Sequence, residues 1–192
     1  MDNNTKAQLR AAYLKQRMAL TEAERHRLND LLMIQLQRID LPYAENLLNY
    51  MPLEQKGEPN TFFFSHYFRF LNPGLRIAYP VSNMKDYTIE AFYADDDTEF
   101  ERRAFDLVEP LSQALAAPED FDIIIVPLIV ADEQGYRVGY GKGMYDKYLK
   151  RCRKDVFKIG FSFFPPVAKI SDIHQNDIPL DVLVYPDGIS FF

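Results

Sequence analysis

The chain has 192 residues, 47% hydrophobic and 26% charged, with a formal net charge of −6; that length suits one ordinary domain, residues 1–192, and that balance excludes a disordered or fibrous chain. A negative surface repels a polyanion, so nucleic acid is excluded as a partner and any phosphate site has to be a local concentration of positive charge. Cys152 is the only cysteine, which excludes an internal disulfide and a cysteine-rich zinc site, and with no apolar leader in MDNNTKAQLR and no run near the roughly 20 apolar residues of a membrane span, a cytoplasmic protein is expected.

Leu9, Ala12, Tyr13 and Leu20 fall near helical spacing, and Thr21 with Glu24 forms the S/T-x-x-E capping box that starts a second helix. LPYAE is a loop or a short helix, and NLLNYMP is a short apolar run ended by proline, as in a buried strand. TFFFSHYFRFLNPG reads as a helix stopped by Asn72, Pro73 and Gly74, followed by a strand at RIAYP. YADDDTEFERR reads as a solvated acidic connection. FDIIIVPLIV, with three consecutive isoleucines, suits a strand covered on both faces at the centre of a parallel sheet. GMYDKYLKRC has helical character, and KIGFSFF and LDVLVYP supply two further strands. This alternation predicts an α/β fold, a three-layer domain with a mainly parallel sheet flanked by helices on both faces.

RVGYGKGMYD, residues 137–146, carries the clearest chemistry. Gly139, Gly141 and Gly143 lie between a strand and a helix, where peptide N–H groups freed of side chains can converge on an anion. Arg137 and Lys142 add charge-assisted donors, suiting a triphosphate. Asp146 beside phosphates is repulsive unless a cation intervenes, and Mg²⁺ held by one or two carboxylates plus phosphate oxygens supplies it. The spacing is neither the P-loop nor the dinucleotide-binding pattern. The same glycines also suit a hairpin followed by a strand-to-helix turn, with Lys142 and Asp146 as a solvated i,i+4 pair.

VPLIVADEQGYRVGYGKGMYD resembles the signature of the 5-formyltetrahydrofolate cyclo-ligase family, approximately VPGVAFDxxGxRLGxGxGYYD. Further matches occur in order along the chain: Lys6, Arg10 and Arg17 near the start, YMPLEQKGEPNT, LVEP at 107–110, and QNDIPLDVLVY. The resemblance implies ATP-driven, Mg²⁺-dependent closure of 5-formyltetrahydrofolate to 5,10-methenyltetrahydrofolate; a monomer is expected. It also implies ATP contacts from Lys6, Arg10 and residues 137–145 (Arg137, Val138, Gly139, Tyr140, Gly141, Lys142, Gly143, Met144, Tyr145). Folate contacts fall to Leu53, Glu58 and residues 140–144, metal binding to Asp146 and Asp177, and the catalytic roles to Lys142, Arg137 and Tyr145. The chain departs from the family pattern at Met144, in place of the first tyrosine of Y-Y-D, at Pro59 and at Leu128, where glycine is usual.

Without the resemblance, Glu58 reads as a solvated loop residue, Lys6 and Arg10 as a helix's wet face, and Asp177 as loop. Of the aromatic residues, Tyr50, Phe161, Phe163 and Phe164 read mainly as core, and His26, His66 and His174 lack metal-ligand spacing. Two other functions stand beside the ligase: a nucleotide- or folate-binding protein without turnover, and, by fold analogy alone, a sugar-phosphate isomerase or acyltransferase.

Overall fold

The computed structural model describes residues 4–192; Met1–Asn3, the first residues of the stretch read for a leader, lie outside the described residues. Two helices open the chain, α1 (Lys6–Ala19) and α2 (Glu22–Leu36), and each begins with a reciprocal capping box, Thr5 with Gln8 and Thr21 with Glu24. They lead to β1 (Asn46–Leu48), α3 (Thr61–Leu71), β2 (Arg76–Asn83), β3 (Thr88–Ala94), β4 (Phe100–Arg102), β5 (Val108–Pro110), β6 (Leu115–Ala116) and β7 (Ile123–Ile125). The chain continues through β8 (Val130–Ala131), β9 (Arg137–Val138), α4 (Met144–Leu149), β10 (Phe157–Phe161), β11 (Val182–Tyr185) and β12 (Gly188–Phe191).

One eight-stranded sheet, in the order β12-β11-β10-β7-β1-β2-β3-β6, forms the middle layer. Its five central strands, β11 to β2 in that order, pair parallel, and β12, β3 and β6 add antiparallel edges. Ile123, Ile124 and Ile125 are all fully buried because β7 is covered on both faces. Ile123 and Ile125 meet Leu32 and Leu36 of α2 and Phe64 and Phe68 of α3, where Phe64 stacks on Phe161 at 4.1 Å. Ile124 points the other way, to Leu48, Leu183 and α4's Tyr148 and Leu149. The alternation of three isoleucines therefore joins two cores through one strand.

α1 stands apart from those layers. Its Leu9 packs with Val130, Val138 and Ile170 in a third small cluster, against the hairpin made by β8 and β9. Asp132, fully buried, shapes that hairpin: Oδ1 accepts from the backbone N–H groups of Gln134 and Tyr136, and Oδ2 from Ile170.

Several expectations change. FDIIIVPLIV is two strands, because Pro127 ends β7 and the chain leaves the sheet before β8. YADDDTEFERR is a connection only in its middle: Tyr93 and Ala94 complete β3, and Phe100–Arg102 pair antiparallel with Val108–Pro110. Of the two readings of LPYAE, the loop is the one found. Leu128 is buried against Gly160, where an added Cβ would lie 2.6 Å from its Cδ2.

Candidate active site

A cavity of about 680 Å³ opens at the carboxyl ends of β1, β2 and β7. Ligands in open α/β sheets favour that edge, at the point where successive connections leave in opposite directions, as β1 and β7 do here. Tyr50, Met51 and Leu53 follow β1 into its wall, Pro80 and Ser82 come from β2, and Pro127 from the end of β7.

The glycine stretch forms one wall, between the β8–β9 hairpin and α4, so both halves of the local reading hold: there is a hairpin and a strand-to-helix turn, and they open onto the cavity. Gly141 has φ +88° and Gly143 φ +65°, in the left-handed region glycine tolerates. Arg10 lies against the bend, its Nε donating to the Gly139 carbonyl at 2.7 Å and its Nη2 3.3 Å from where a Gly141 Cβ would project. Lys142 is exposed, with Nζ 4.5 Å above the Tyr87 ring and 3.4 Å from its hydroxyl.

Arg137 is committed differently from a free phosphate fork. Nη1 donates to the Ile178 carbonyl at 2.5 Å and Nη2 to Asp146 Oδ1 at 3.0 Å, and the side chain is only 6% exposed. Asp146 Oδ1 also accepts from the Ile178 backbone N–H. Nearby, Lys6 donates to Asp177 Oδ2, which also takes the His174 backbone N–H at 2.7 Å. Burial alone would push the Asp177 carboxyl up, but Lys6 and the His174 N–H outweigh it and hold it below the ordinary aspartate range. Each aspartate thus spends one oxygen on the protein, and the other carries no protein hydrogen bond among the described residues. Two hard oxygen ligands, brought to one place by the Ile178 N–H beside Asp177 that Asp146 accepts, suit Mg²⁺, which keeps waters and takes phosphate oxygens to complete its shell.

The opposite wall carries Glu58, which is 7% exposed and so not a solvated loop residue. After a single turn of 3₁₀ helix at Glu54–Lys56, Gly57 (φ +62°) reverses the chain and sends Glu58 inward. Oε2 accepts from Leu53 N at 2.8 Å, and Oε1 accepts the Tyr140 hydroxyl at 2.5 Å. Burial pushes the carboxyl above its ordinary value, against the opposing pull of those two donors and of Arg17. The hydroxyls of Tyr140 and Tyr145 are pushed far up, by burial first and the Glu58 charge second. Tyr145's hydroxyl is buried with no partner among the described residues, an arrangement native proteins avoid unless a ligand or water completes it.

Every residue to which the sequence gave a catalytic, ATP, folate or metal role lines this cavity except Val138, whose side chain is buried beside Leu9 and Val130. Tyr50 also lines it, whereas Phe161, Phe163 and Phe164 belong to the core. Sequence reading gave no role to Arg17, Glu109, Tyr87, Asp172 or His174. Arg17 had a signal: Lys6, Arg10 and Arg17, spaced by four and seven, share one face of α1. Glu109, buried and accepting Ser82 N at 2.8 Å, had only its place in LVEP. Five Lys or Arg and five Asp or Glu line the cavity, a formal balance of zero inside a chain of net charge −6. Among the described residues no three His, Cys, Asp or Glu side chains gather as a metal cluster, and no helix is long and apolar enough to cross a membrane.

The family model for the 5-formyltetrahydrofolate cyclo-ligase family matches residues 2–186. The chain is 27% identical to the 5-formyltetrahydrofolate cyclo-ligase of Mycoplasma pneumoniae over 96% of its own length and 98% of that protein. A shorter match to the Mycoplasma genitalium protein of the same name is 33% identical and covers 35% of this chain and 40% of that one. Among solved structures, the 5,10-methenyltetrahydrofolate synthetase of Aquifex aeolicus is similar with a TM-score of 0.77 at 30% identity, covering 97% of this chain and 92% of that one.

Proposed function

Because the chain belongs to the 5-formyltetrahydrofolate cyclo-ligase family, we propose that it uses ATP to close 5-formyltetrahydrofolate to 5,10-methenyltetrahydrofolate, releasing ADP and phosphate. The observation that carries this reading is that one cavity gathers the glycine bend, Lys6, Arg10, both aspartates and Glu58, residues as far apart in sequence as 6 and 177. The same reading takes the protein as a monomer, a single unit over residues 1–192, acting on two small substrates in a cytoplasmic setting.

A formamide is a poor electrophile, since its nitrogen lone pair is delocalised into the carbonyl, and its oxygen is a poor leaving group. Attack of the formyl oxygen on the γ-phosphorus of ATP breaks the bond to ADP and makes the formyl carbon electrophilic. N10 of the same folate then bonds that carbon, the N10 proton is lost, and the C–O bond breaks to release phosphate. The protein's part is positioning and electrostatic stabilisation, the general pattern of phosphoryl transfer. Lys142 and the peptide N–H groups of residues 139–143 bind the phosphates, with Arg10 bracing the bend from behind. Arg137 orients Asp146. Glu58, held in place by Leu53 N and the Tyr140 hydroxyl, accepts hydrogen bonds from the folate's ring N–H groups through its carboxylate. Asp146 and Asp177 are the residues that would hold Mg²⁺, which when bound supplies charge neutralisation at the phosphoryl oxygens.

Mixing the protein with MgATP and 5-formyltetrahydrofolate is expected to generate the near-ultraviolet absorbance of the methenyl product, with one ADP per product. Folded protein that binds both compounds yet gives neither absorbance nor ADP would instead be a binding protein without turnover.

A further inference from the structure

Arg17 is the largest of the fully buried side chains, 2% exposed, and all three of its hydrogen bonds go to neutral oxygens. Nε donates to the Lys56 carbonyl at 2.8 Å, Nη1 to the Leu128 carbonyl at 3.1 Å, and Nη2 to the Tyr140 hydroxyl at 2.6 Å. A guanidinium taken out of water without a carboxylate partner is expensive to keep, so its retention needs a reason. The three acceptors supply one. They belong to the turn that delivers Glu58, the segment after β7 and the glycine bend, three pieces of the cavity wall of which only the last two are tied by backbone, where Ile129 N–H donates to the Val138 carbonyl. The anion that answers the charge stands one hydroxyl further on, since Tyr140 accepts from Arg17 and donates to Glu58.

The direction of that hydroxyl matters. A tyrosine O–H has one proton to give; because Arg17 is a donor only, the Tyr140 oxygen accepts from it and the proton goes to Glu58 Oε1. Gly57 supports the same contact from the other side: its left-handed φ of +62° lets the loop close to within 3.4 Å of the Arg17 carbonyl, measured from where a Cβ would stand. Resting on the folate reading of Glu58 above, we propose that Arg17 is a positioning residue, which fixes the Tyr140 hydroxyl and through it the Glu58 carboxylate so that the folate ring meets a preset acceptor. It does not touch substrate; it acts through Tyr140.

The test is folate affinity as a function of pH, measured by calorimetry with 5-formyltetrahydrofolate and without ATP. The groups facing Glu58 are Arg17, Tyr50, Tyr140 and Tyr145; the three hydroxyls are all pushed up by burial, so within this set only Glu58 can give an acid limb, and the limb that Glu58→Gln removes is its own. Arg17 and the Tyr140 donor both favour ionised Glu58, so removing either lets the carboxyl protonate at higher pH. Arg17→Gln is therefore expected to weaken binding about tenfold at pH 7 and to move the acid limb to higher pH, with ATP affinity changed less than about twofold. Arg17→Lys, which keeps the charge, is expected to return the limb toward the unsubstituted position, and Glu58→Gln to remove it. Tyr140→Phe keeps the ring, loses the bridging hydroxyl and is expected to shift the limb the same way; if Arg17→Gln does not fold, an unmoved limb in Tyr140→Phe still overturns the proposal, and Arg17→Lys carries the Arg17 side of the test. Folded variants at Arg17 and Tyr140 whose limb stays put, or an Arg17→Gln that weakens folate and ATP equally with no change in limb, would leave Arg17 with a merely structural role and overturn the proposal. Unsubstituted protein that binds no 5-formyltetrahydrofolate at any pH would instead sink the folate reading on which it rests.

Discussion

Gly141 shows how tightly single residues constrain the cavity. Its φ of +88° is strained for any residue with a Cβ, and the Arg10 guanidinium stands 3.3 Å from where that Cβ would be. Gly141→Ala should therefore cost about 1–2 kcal/mol of local strain and push Arg10 off the bend. The expected result is a several-fold rise in the KM for ATP with folate affinity little changed, measured by initial rates and calorimetry. Gly139→Ala is the matched control, having an ordinary φ and nothing within 4 Å of the added carbon. At this scale the sequence showed the glycines and the cations plainly, because their spacing is local. It did not show that Glu58 is buried or that Arg137 is already engaged, since both depend on residues far along the chain: Tyr140 for one, Ile178 for the other.

Among the elements, β10 is the one whose packing depends most on a missing side chain. A Cβ at Gly160 would meet Leu128 Cδ2 at 2.6 Å and Leu180 Cδ1 at 2.7 Å, both in side chains no more than 2% exposed. Gly160→Ala is expected to destabilise by about 1–3 kcal/mol as those leucines are forced aside. Adding Leu128→Ala should recover part of the loss, a non-additivity readable by urea denaturation; strictly additive losses would mean the two positions do not share the space. Legibility at this scale followed length and periodicity. α1, α3 and the isoleucine strand carry apolar patterns that can be read, whereas α2 has no clear apolar face and only Thr21 with Glu24 marks its start. β3 was missed although its burial alternates, because Phe92 on its more open face masks the pattern. Two-residue strands such as β6, β8 and β9 carry too few residues to show a period at all.

For the molecule as a whole, acidity bears on stability through the loop that answers α1. Asp177 is held below its ordinary value of 3.8, because the Lys6 ammonium and the His174 N–H outweigh burial. A carboxyl with a lowered folded value adds stability above its unfolded value and loses it as pH falls through the folded one. Asp177→Asn is thus expected to lower Tm most at neutral pH, with the gap to the unsubstituted protein closing below about pH 4. A constant gap from pH 7 to pH 3 would mean that the loss is not one of charge. The α/β architecture was legible at this scale because strands and helices alternate; the docking of α1 was not, because no local pattern says which distant loop will take up its polar face.

That docking also sets the order in which the protein can be assembled. The bonds from Lys6, Arg10 and Arg17 to Asp177, Gly139 and Tyr140 close over 171, 129 and 123 residues of chain. α1 is made before the residues it binds, so its basic face waits in water until the chain has been made through Asp177.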